Sequence, residues 1–199
     1  MHRELELKAV IPDPVALRLR LRAVGAAHRF SGTMRDLRFD RGGELTARDQ
    51  VLRLRTFHRG GERTAAVLGW KGPARISPEG YKQREEIELP VGPGGGEPEA
   101  WLLALGYAIV HTIDRWIEVF DLDGTVLRLE AYPRMDDLLE VEGEPEAIER
   151  AIAVSGIPRG AFSADALAEF VRRFEARAGA AAVLAAGERG MRPPAWAAP

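Results

Sequence analysis

Four stretches of the chain carry charged residues at every second position, with apolar residues between them. In the first, Glu4, Glu6 and Lys8 alternate with apolar side chains over residues 3–10. Because side chains of a strand point alternately to opposite faces, each stretch predicts a strand with one charged and one apolar face. Charges on one strand face are usually solvated. The alternative is a closed or strongly curved sheet with a polar interior, in which paired carboxylates bind a hard cation and basic side chains bind an anion.

The three other stretches supply the matching charges. They carry Arg53 and Arg55 within residues 51–55, Lys82, Arg84, Glu86 and Glu88 within residues 82–88, and Glu140 and Glu142 within residues 139–142. Four faces that carry both signs, each backed by an apolar face, are difficult to explain as solvated edges. The pattern therefore favours the polar interior.

Composition limits the classes of protein that the chain can belong to. Its 199 residues include 28 basic and 30 acidic ones, a formal net charge of -2, and no Cys. The balanced charge argues against nucleic acid as a partner, so any anion must be bound by a local cluster. The lack of Cys excludes disulfides and thiolate chemistry. With no apolar run of membrane-span length, the sequence predicts a cytoplasmic protein that has no membrane partner.

The elements predicted in chain order are of mixed type. Strands are expected at about 3–10, 34–40, 50–57, 64–71, 81–91, 107–120, 125–132 and 137–142, and helices at about 15–24, 98–105, 146–155 and 163–178. About eight strands with short, mostly antiparallel connections predict an α+β fold: a closed, eight-stranded, mostly antiparallel β-barrel with helices packed outside. The charged faces would then line its interior.

Two segments read as connections and not as core. Residues 92–98 are rich in Gly and Pro and predict a linker; no Gly-Lys-Ser/Thr follows, so a phosphate-binding loop is disfavoured. Residues 179–199 are rich in Ala, Gly and Pro and predict a poorly ordered tail. The division is thus a single domain over residues 1–178 and a tail over residues 179–199.

The charged segments together resemble the CYTH superfamily, the triphosphate tunnel metalloenzymes. Glu4-Leu5-Glu6-Leu7-Lys8 is similar to the Glu-x-Glu-x-Lys signature of that family, and further segments follow in the family's order. These are Asp36-x-x-Phe39-Asp40, residues 52–55, Trp70-Lys71-Gly72-Pro73, residues 84–88, Arg115, Glu130 and residues 139–142. The resemblance covers roughly residues 1–175 and implies a triphosphate-binding barrel.

The resemblance also implies a role for each matching residue. The implied substrate-binding residues are Lys8, Arg53, Arg55, Lys71, Arg84 and Arg115, of which Lys8 is also catalytic; the implied ligands of Mg²⁺ or Mn²⁺ are Glu4, Glu6, Glu130, Glu140 and Glu142; Glu86 and Glu88 would line the tunnel. Asp36 and Asp40 are favoured as structural or peripheral residues. Two positions depart from the family: Ile113 stands where a Lys is frequent, and Glu130 where Asp is more usual.

Three functions are compatible with such a tunnel. The first is metal-dependent hydrolysis of a small-molecule triphosphate, which could be tripolyphosphate, thiamine triphosphate or a nucleoside triphosphate. The second is a class IV adenylate cyclase, and the third is a non-catalytic binder of polyphosphate or nucleotide. The many carboxylates argue against a binder of polyanions, and no set of nucleoside contacts is evident, which favours the hydrolase. The sequence leaves the oligomeric state open, with a homodimer as one expectation.

Overall fold

The computed structural model describes residues 2–92, 96–187 and 190–197. The strands are β1 (His2–Val10), β2 (Ala27–Asp40), β3 (Val51–Arg59), β4 (Glu62–Lys71), β5 (Arg75–Ile76), β6 (Lys82–Pro90), β7 (Ala108–Leu122), β8 (Thr125–Ala131) and β9 (Leu138–Glu142). The helices are α1 (Pro14–Ala23), α2 (Gly96–Ala104), α3 (Pro145–Ser155) and α4 (Leu167–Ala178). Residues 93–95 of the predicted linker lie outside the described residues.

Eight strands form a closed antiparallel barrel. The order around it is β1-β9-β8-β7-β2-β3-β4-β6, and β6 pairs with β1 to close the ring. β5 pairs only with β6 and stands outside the ring. The predicted fold class, a closed eight-stranded antiparallel barrel with helices, is therefore confirmed.

The alternation of the sequence decides which face of each strand is inside. On β1, Leu5, Leu7 and Ala9 are buried in the main apolar cluster, which also contains residues of α1 and α3. Their neighbours Glu4 and Lys8 are also buried, with 5% and 7% exposure, on the opposite face. Since strand side chains alternate, an apolar outer face covered by helices leaves the charged face to the interior.

The helices are placed by local capping and by their apolar residues. α1 begins at Pro14 after Asp13, whose carboxylate accepts a hydrogen bond from the Ala16 backbone N–H. It buries Leu17 and Leu21 against the barrel. α2 contributes Leu102 to a second cluster on the outer face of β2, β3 and β4. These positions match the predicted helices within about two residues.

α4 packs differently from the other helices. Its Phe170 forms a third cluster with Ile113, Tyr132 and Leu138. Ile113 shares its strand face with Arg115, and Leu138 shares its face with Glu140, so this cluster continues the inner surface of the barrel. α4 therefore covers one end of the interior.

Two element boundaries differ from the prediction for physical reasons. β2 begins at Ala27 instead of residue 34, because the long strand β7 pairs with it almost throughout. α4 begins at Leu167 instead of residue 163, because Ser163 exchanges two backbone hydrogen bonds of 2.8 and 2.9 Å with Lys8 on β1. A residue held in that bridge has extended backbone and cannot belong to the helix.

The segment after α4 makes contacts with the barrel. Val183 forms an isolated bridge with Arg134, and the Ala186 backbone N–H donates to Asp114. Trp196 packs against the main apolar cluster and donates its indole N–H to Asp137 at 2.7 Å. Residues 188, 189, 198 and 199 of the predicted tail lie outside the described residues, and its poor order stays a prediction. Among the helices that the structure describes, none combines the length and apolarity needed to span a bilayer.

Candidate active site

The inner faces of the barrel enclose a cavity of about 240 Å³ in which both signs of charge meet. Nine basic side chains of the described residues line it: Lys8, Arg38, Arg53, Arg55, Lys71, Lys82, Arg84, Arg115 and Arg128. Five acidic side chains line it as well: Glu6, Asp36, Asp49, Glu130 and Glu140. All six predicted substrate-binding residues are thus brought to one cavity, together with three of the predicted metal ligands.

The charged residues of β1 are held by lysines. Glu4 accepts a hydrogen bond from Lys71 at 2.7 Å. Lys8 lies between Glu6, 2.9 Å away, and Glu140, 2.5 Å away. Burial raises the pKa of Glu6, but the ammonium groups of Lys8, Lys82 and Lys71 outweigh it and hold that pKa well below the ordinary value. Glu6 is therefore ionised at neutral pH in spite of its burial.

The carboxylates on this side also lie close to one another. Glu6 and Glu142 are direct partners in the β1–β9 ladder. Burial raises the pKa of Glu142, and the charges of Glu4 and Glu6 raise it further. Burial and the charge of Glu4 likewise raise the pKa of Glu86. Like charges directly opposite each other in a sheet are destabilising, so this group would gain from a cation.

The donor chemistry around Glu4, Glu6 and Glu142 fits a divalent metal. Carboxylate oxygens are the ligands that Mg²⁺ and Mn²⁺ prefer, and the mutual repulsion of these three is what a cation relieves. In the part of the chain that the structure describes, no three acidic or His side chains converge on one point as a metal cage. The oxygens of Glu4 contact Lys71 and those of Glu6 contact Lys8 and Lys82, so these lysine contacts would have to be exchanged for the metal.

A second carboxylate group holds arginines. Asp36 binds Arg55 through two hydrogen bonds of 2.7 and 2.9 Å and also accepts one from Arg115. Burial raises the pKa of Asp36, but Arg55 and Arg115 outweigh it and hold that pKa well below the ordinary value. The bidentate geometry fixes the plane of the Arg55 guanidinium. The expectation that Asp36 is structural agrees with these contacts, as does Asp40, which accepts hydrogen bonds from Leu45 and Thr46 in the loop after β2.

Glu130 belongs to this arginine-holding group. It accepts hydrogen bonds from Arg115 at 3.0 Å, from Arg128 at 2.9 Å and from the Tyr132 hydroxyl at 2.6 Å. Burial raises its pKa, but Arg115 and Arg128 lower it to about 2. Its contacts are with arginines and a tyrosine, while Glu4, Glu6 and Glu142 lie around the lysines of β1, β4 and β6. Its assignment as a metal ligand stays a prediction.

The remaining predicted residues make two further sets of contacts. Arg53 donates to Glu86 at 2.8 Å and to Glu88 at 3.0 Å, and Lys71 lies 3.3 Å from Glu86. Glu88 stands at the rim, where 43% of its side chain is exposed. Arg84 pairs with Asp49 at 2.7 Å, on a loop residue that the sequence reasoning did not select.

Three further cavity residues were missed as site residues, although a signal existed for each. Lys82 was noted as in phase with Arg84 but not assigned to the site, and it now contacts Glu6. Arg128 is two residues before Glu130 on β8 and contacts Glu130 and Glu140. Arg38 is two residues after Asp36 on β2. The same period of two that selected the others applies to these.

Comparison with known proteins supports the fold. No family model and no curated protein sequence matches the chain. Among the solved structures to which it is similar, PH1819 from Pyrococcus horikoshii OT3 has 21% identity and a TM-score of 0.68, over 85% of this chain and 98% of that one. A proposed adenylate cyclase from Vibrio parahaemolyticus has 16% identity and a TM-score of 0.69, over 85% of this chain and 97% of that one. HpAC1 from Hippeastrum, a proposed adenylyl cyclase with a dominant triphosphatase activity, has 20% identity and a TM-score of 0.61, over 94% of this chain and 99% of that one.

The chain shares the closed-barrel fold of these structures. The barrel that the resemblance of the charged motifs implies is thereby confirmed as a fold. Within this barrel, the side-chain contacts described above, and not the overall likeness, carry any argument about chemistry.

Proposed function

We propose that the protein is a divalent-metal-dependent triphosphatase that hydrolyses a small-molecule triphosphate inside the barrel. One observation carries the proposal: nine basic side chains and five carboxylates line a single interior cavity. A triphosphate carries about four negative charges, so its binding in a low-dielectric interior needs several cations close together. An Arg offers a planar fork and a Lys a point charge, so a mixed ring can bind successive phosphoryl groups.

The proposed roles follow from the contacts. Arg53, Arg55, Lys71, Arg84 and Arg115 would bind phosphate oxygens, each exchanging or sharing a carboxylate partner. Glu4, Glu6 and Glu142 would hold Mg²⁺ or Mn²⁺, with Glu140 and Glu130 beside them. When bound, the metal supplies neutralisation of the phosphate charge and polarisation of a phosphoryl oxygen.

The reaction proposed is attack of water on the terminal phosphorus. A P–O bond forms to the water oxygen, the bond to the bridging oxygen breaks, and the water gives up a proton to the solvent, so the products are phosphate and a diphosphate. Lys8, held between Glu6 and Glu140, would place its ammonium beside the transferred group and stabilise the charge that develops there. Catalysis by positioning and charge needs no covalent nucleophile, which agrees with the lack of Cys.

An adenylate cyclase is the second candidate, and one feature favours it. An apolar pocket of about 350 Å³ lies toward the end of the barrel that α4 does not cover. Its lining includes Phe30, Phe57, Ile117 and Val119. Arg128 lines both this pocket and the charged cavity. A ring system could occupy this pocket while its triphosphate lies among the cations. An organic triphosphate needs such a pocket for its ring, whereas tripolyphosphate has no organic group to place there.

A product assay separates the two candidates. The purified protein is incubated with tripolyphosphate, thiamine triphosphate or ATP in Mg²⁺ or Mn²⁺, and the products are resolved as phosphate, pyrophosphate and cyclic AMP. The triphosphatase yields mainly phosphate and turns over tripolyphosphate at least as well as ATP. Pyrophosphate and cyclic AMP in equal amounts from ATP, with tripolyphosphate left intact, would establish the cyclase.

The metal assignment is tested by the double variant Glu4→Gln/Glu6→Gln. Turnover should fall by more than about 100-fold, the upper loss seen when only an outer-shell partner of a metal ligand is removed. The matched control is Glu44→Gln/Glu62→Gln, which removes the same charge from exposed positions. Because Glu4 and Glu6 also pair with lysines, circular dichroism must first establish that the variant is folded. Wild-type rates in Mg²⁺ from the folded variant would refute the assignment.

A further inference from the structure

Arg38 differs from the other basic residues of the cavity in having no carboxylate partner in the described part of the chain. Among the described residues, each of the other eight cations lies within ion-pair distance of an Asp or Glu, and Arg38 does not. Its Nε atom is buried without a hydrogen-bond partner in the described part of the chain. The nearby Asp36 already binds Arg55 and Arg115 with its two oxygens.

The register makes the position of Arg38 more unusual. Arg38 on β2 is the direct partner of Arg53 on β3, and both side chains line the cavity. Directly opposed like charges destabilise a sheet. Burial lowers the pKa of Arg38 to about 10, with contributions from Arg115 and Arg53, which leaves it charged at neutral pH. The repulsion is therefore present in the folded protein and is relieved by an anion between the two guanidinium groups.

A helix N-terminus lines the same cavity. Ala166, Leu167 and Ala168, at the start of the 12-residue helix α4, line the cavity with Arg38 and Arg53. Ala166 occupies the N-cap position and supplies no side-chain hydrogen bond. The first N–H groups of a helix are unpaired within it and carry partial positive charge, so they favour an anion.

From these three features we infer that Arg38, Arg53 and the N-terminus of α4 form a subsite for the terminal phosphoryl group of the substrate. A tetrahedral phosphoryl dianion matches two guanidinium forks and backbone N–H groups. The carboxylates Glu4 and Glu142 and the apolar pocket lie toward the other end of the barrel, so an organic group would extend away from this subsite. The inference rests on the proposed function, since it assigns one part of the triphosphate to one part of the tunnel.

The first test is the affinity for tripolyphosphate, measured by calorimetry in EDTA so that neither metal nor turnover contributes. Arg38→Gln should bind about 10- to 100-fold more weakly than wild type, the range for removing one hydrogen bond to a charged group. Arg38→Lys should recover part of the loss, because it restores the charge without the fork. The matched control is Arg35→Gln, on the same strand but paired with Asp114 outside the cavity; its affinity should change less than twofold.

Thermal melting without ligand separates binding from a structural role. Because Arg38 has no carboxylate partner in the described structure and opposes Arg53, Arg38→Gln should melt at or above the wild-type temperature. A clear drop in melting temperature would assign Arg38 a structural role and overturn the inference.

A second variant tests the helix terminus by adding a negative charge there instead of removing a positive one. Ala166→Asp places a preferred N-cap residue at α4 and a negative charge at the subsite. It should raise the melting temperature and weaken tripolyphosphate binding at least about fivefold, a combination that partial unfolding cannot produce. Unchanged affinity in both Arg38→Gln and Ala166→Asp would overturn the subsite while leaving the proposed function intact. Failure of the wild type to bind tripolyphosphate would overturn both.

Discussion

The two sides of the tunnel use different charge pairs, although both have an apolar outer face. On the side of β1 and β9, glutamates are held by the ammonium groups of Lys8, Lys71 and Lys82. On the side of β2, β3 and β7, Asp36 accepts two hydrogen bonds from Arg55 in a bidentate pair and one hydrogen bond from Arg115. We call these the lysine side and the arginine side.

The difference indicates which side can rearrange. A Lys ammonium on a flexible stem exchanges partners easily, whereas a bidentate guanidinium pair has a fixed plane. The arginine side therefore presents its remaining donors in one orientation before a ligand arrives. The lysine side can release carboxylate oxygens to a cation. The proposed binding of a metal-triphosphate complex would use this difference, with the fixed side binding the anion and the adjustable side binding the cation.

The largest effect on stability is expected from the arginine side. Asp36→Asn leaves the buried Arg55 without a counter-charge, and breaking such a pair costs about 3–5 kcal/mol. Urea unfolding measures this loss. The matched control is Asp121→Asn, which breaks an exposed pair with Arg29 and should cost no more than about 1 kcal/mol. Equal losses in the two variants would refute a rigid arginine side.

The same variant has a defined pH dependence. The pKa of Asp36 is well below its ordinary value of 3.8 in the folded protein, so its contribution is fully present above about pH 5 and is lost as the pH falls. The difference in unfolding free energy between wild type and Asp36→Asn should therefore shrink from pH 7 to pH 3. A constant difference over that range would contradict the assignment.

An intermediate effect should distinguish two arginines of one strand. Arg53→Ala and Arg55→Ala should each weaken binding of a non-hydrolysable triphosphate by about 1.5–3 kcal/mol, measured by calorimetry. Arg55→Ala should also lower the unfolding free energy more, because it removes the bidentate partner of Asp36. Unchanged affinity in both variants would place these residues outside the site.

The smallest effect is expected on the lysine side. Glu142→Gln removes the repulsion from Glu6 and should raise the unfolding free energy by about 0.2–1 kcal/mol without metal. The pKa of Glu142 is raised on folding, so its ionisation destabilises the folded protein. The gain in unfolding free energy from Glu142→Gln should therefore grow as the pH rises through that pKa. The variant should also need more Mg²⁺ for half-maximal activity. A loss of stability would mean that Glu142 has a compensating partner.

Much of the fold followed from one regularity of the sequence. Alternation of charged and apolar residues identified the strands, and the two signs on the charged faces indicated a closed interior. The same rule could have included Arg38 and Arg128, since Arg38 is in phase with Asp36 of the charged motifs and Arg128 is in phase with the selected Glu130.

The pairings inside the tunnel could not be predicted in the same way. That Glu6 opposes Glu142 depends on the register between two strands distant in sequence. That Arg38 opposes Arg53 depends on the register that the long loop of residues 41–50 leaves between β2 and β3. A shift of one residue would reverse every face, and nothing local to either strand fixes it. Asp49 follows no period because it lies in the loop after β2, in a left-handed conformation with φ of 51°. The bridge of Ser163 to Lys8 is likewise a long-range contact that no local pattern encodes.

Closure of the barrel has a consequence for synthesis of the chain. Both neighbours of β1 are made after it, and β9 is complete only at residue 142. On the ribosome, the interior face of β1 stays accessible to water until the barrel can close. Contacts between residues so far apart in sequence slow folding, because the chain loses the entropy of closing a long loop before the strand pairing contributes any stability. Charged residues on that face keep β1 hydrated before its neighbours pair with it. The residues proposed to bind metal and phosphate would therefore also protect the nascent chain from aggregation through that face.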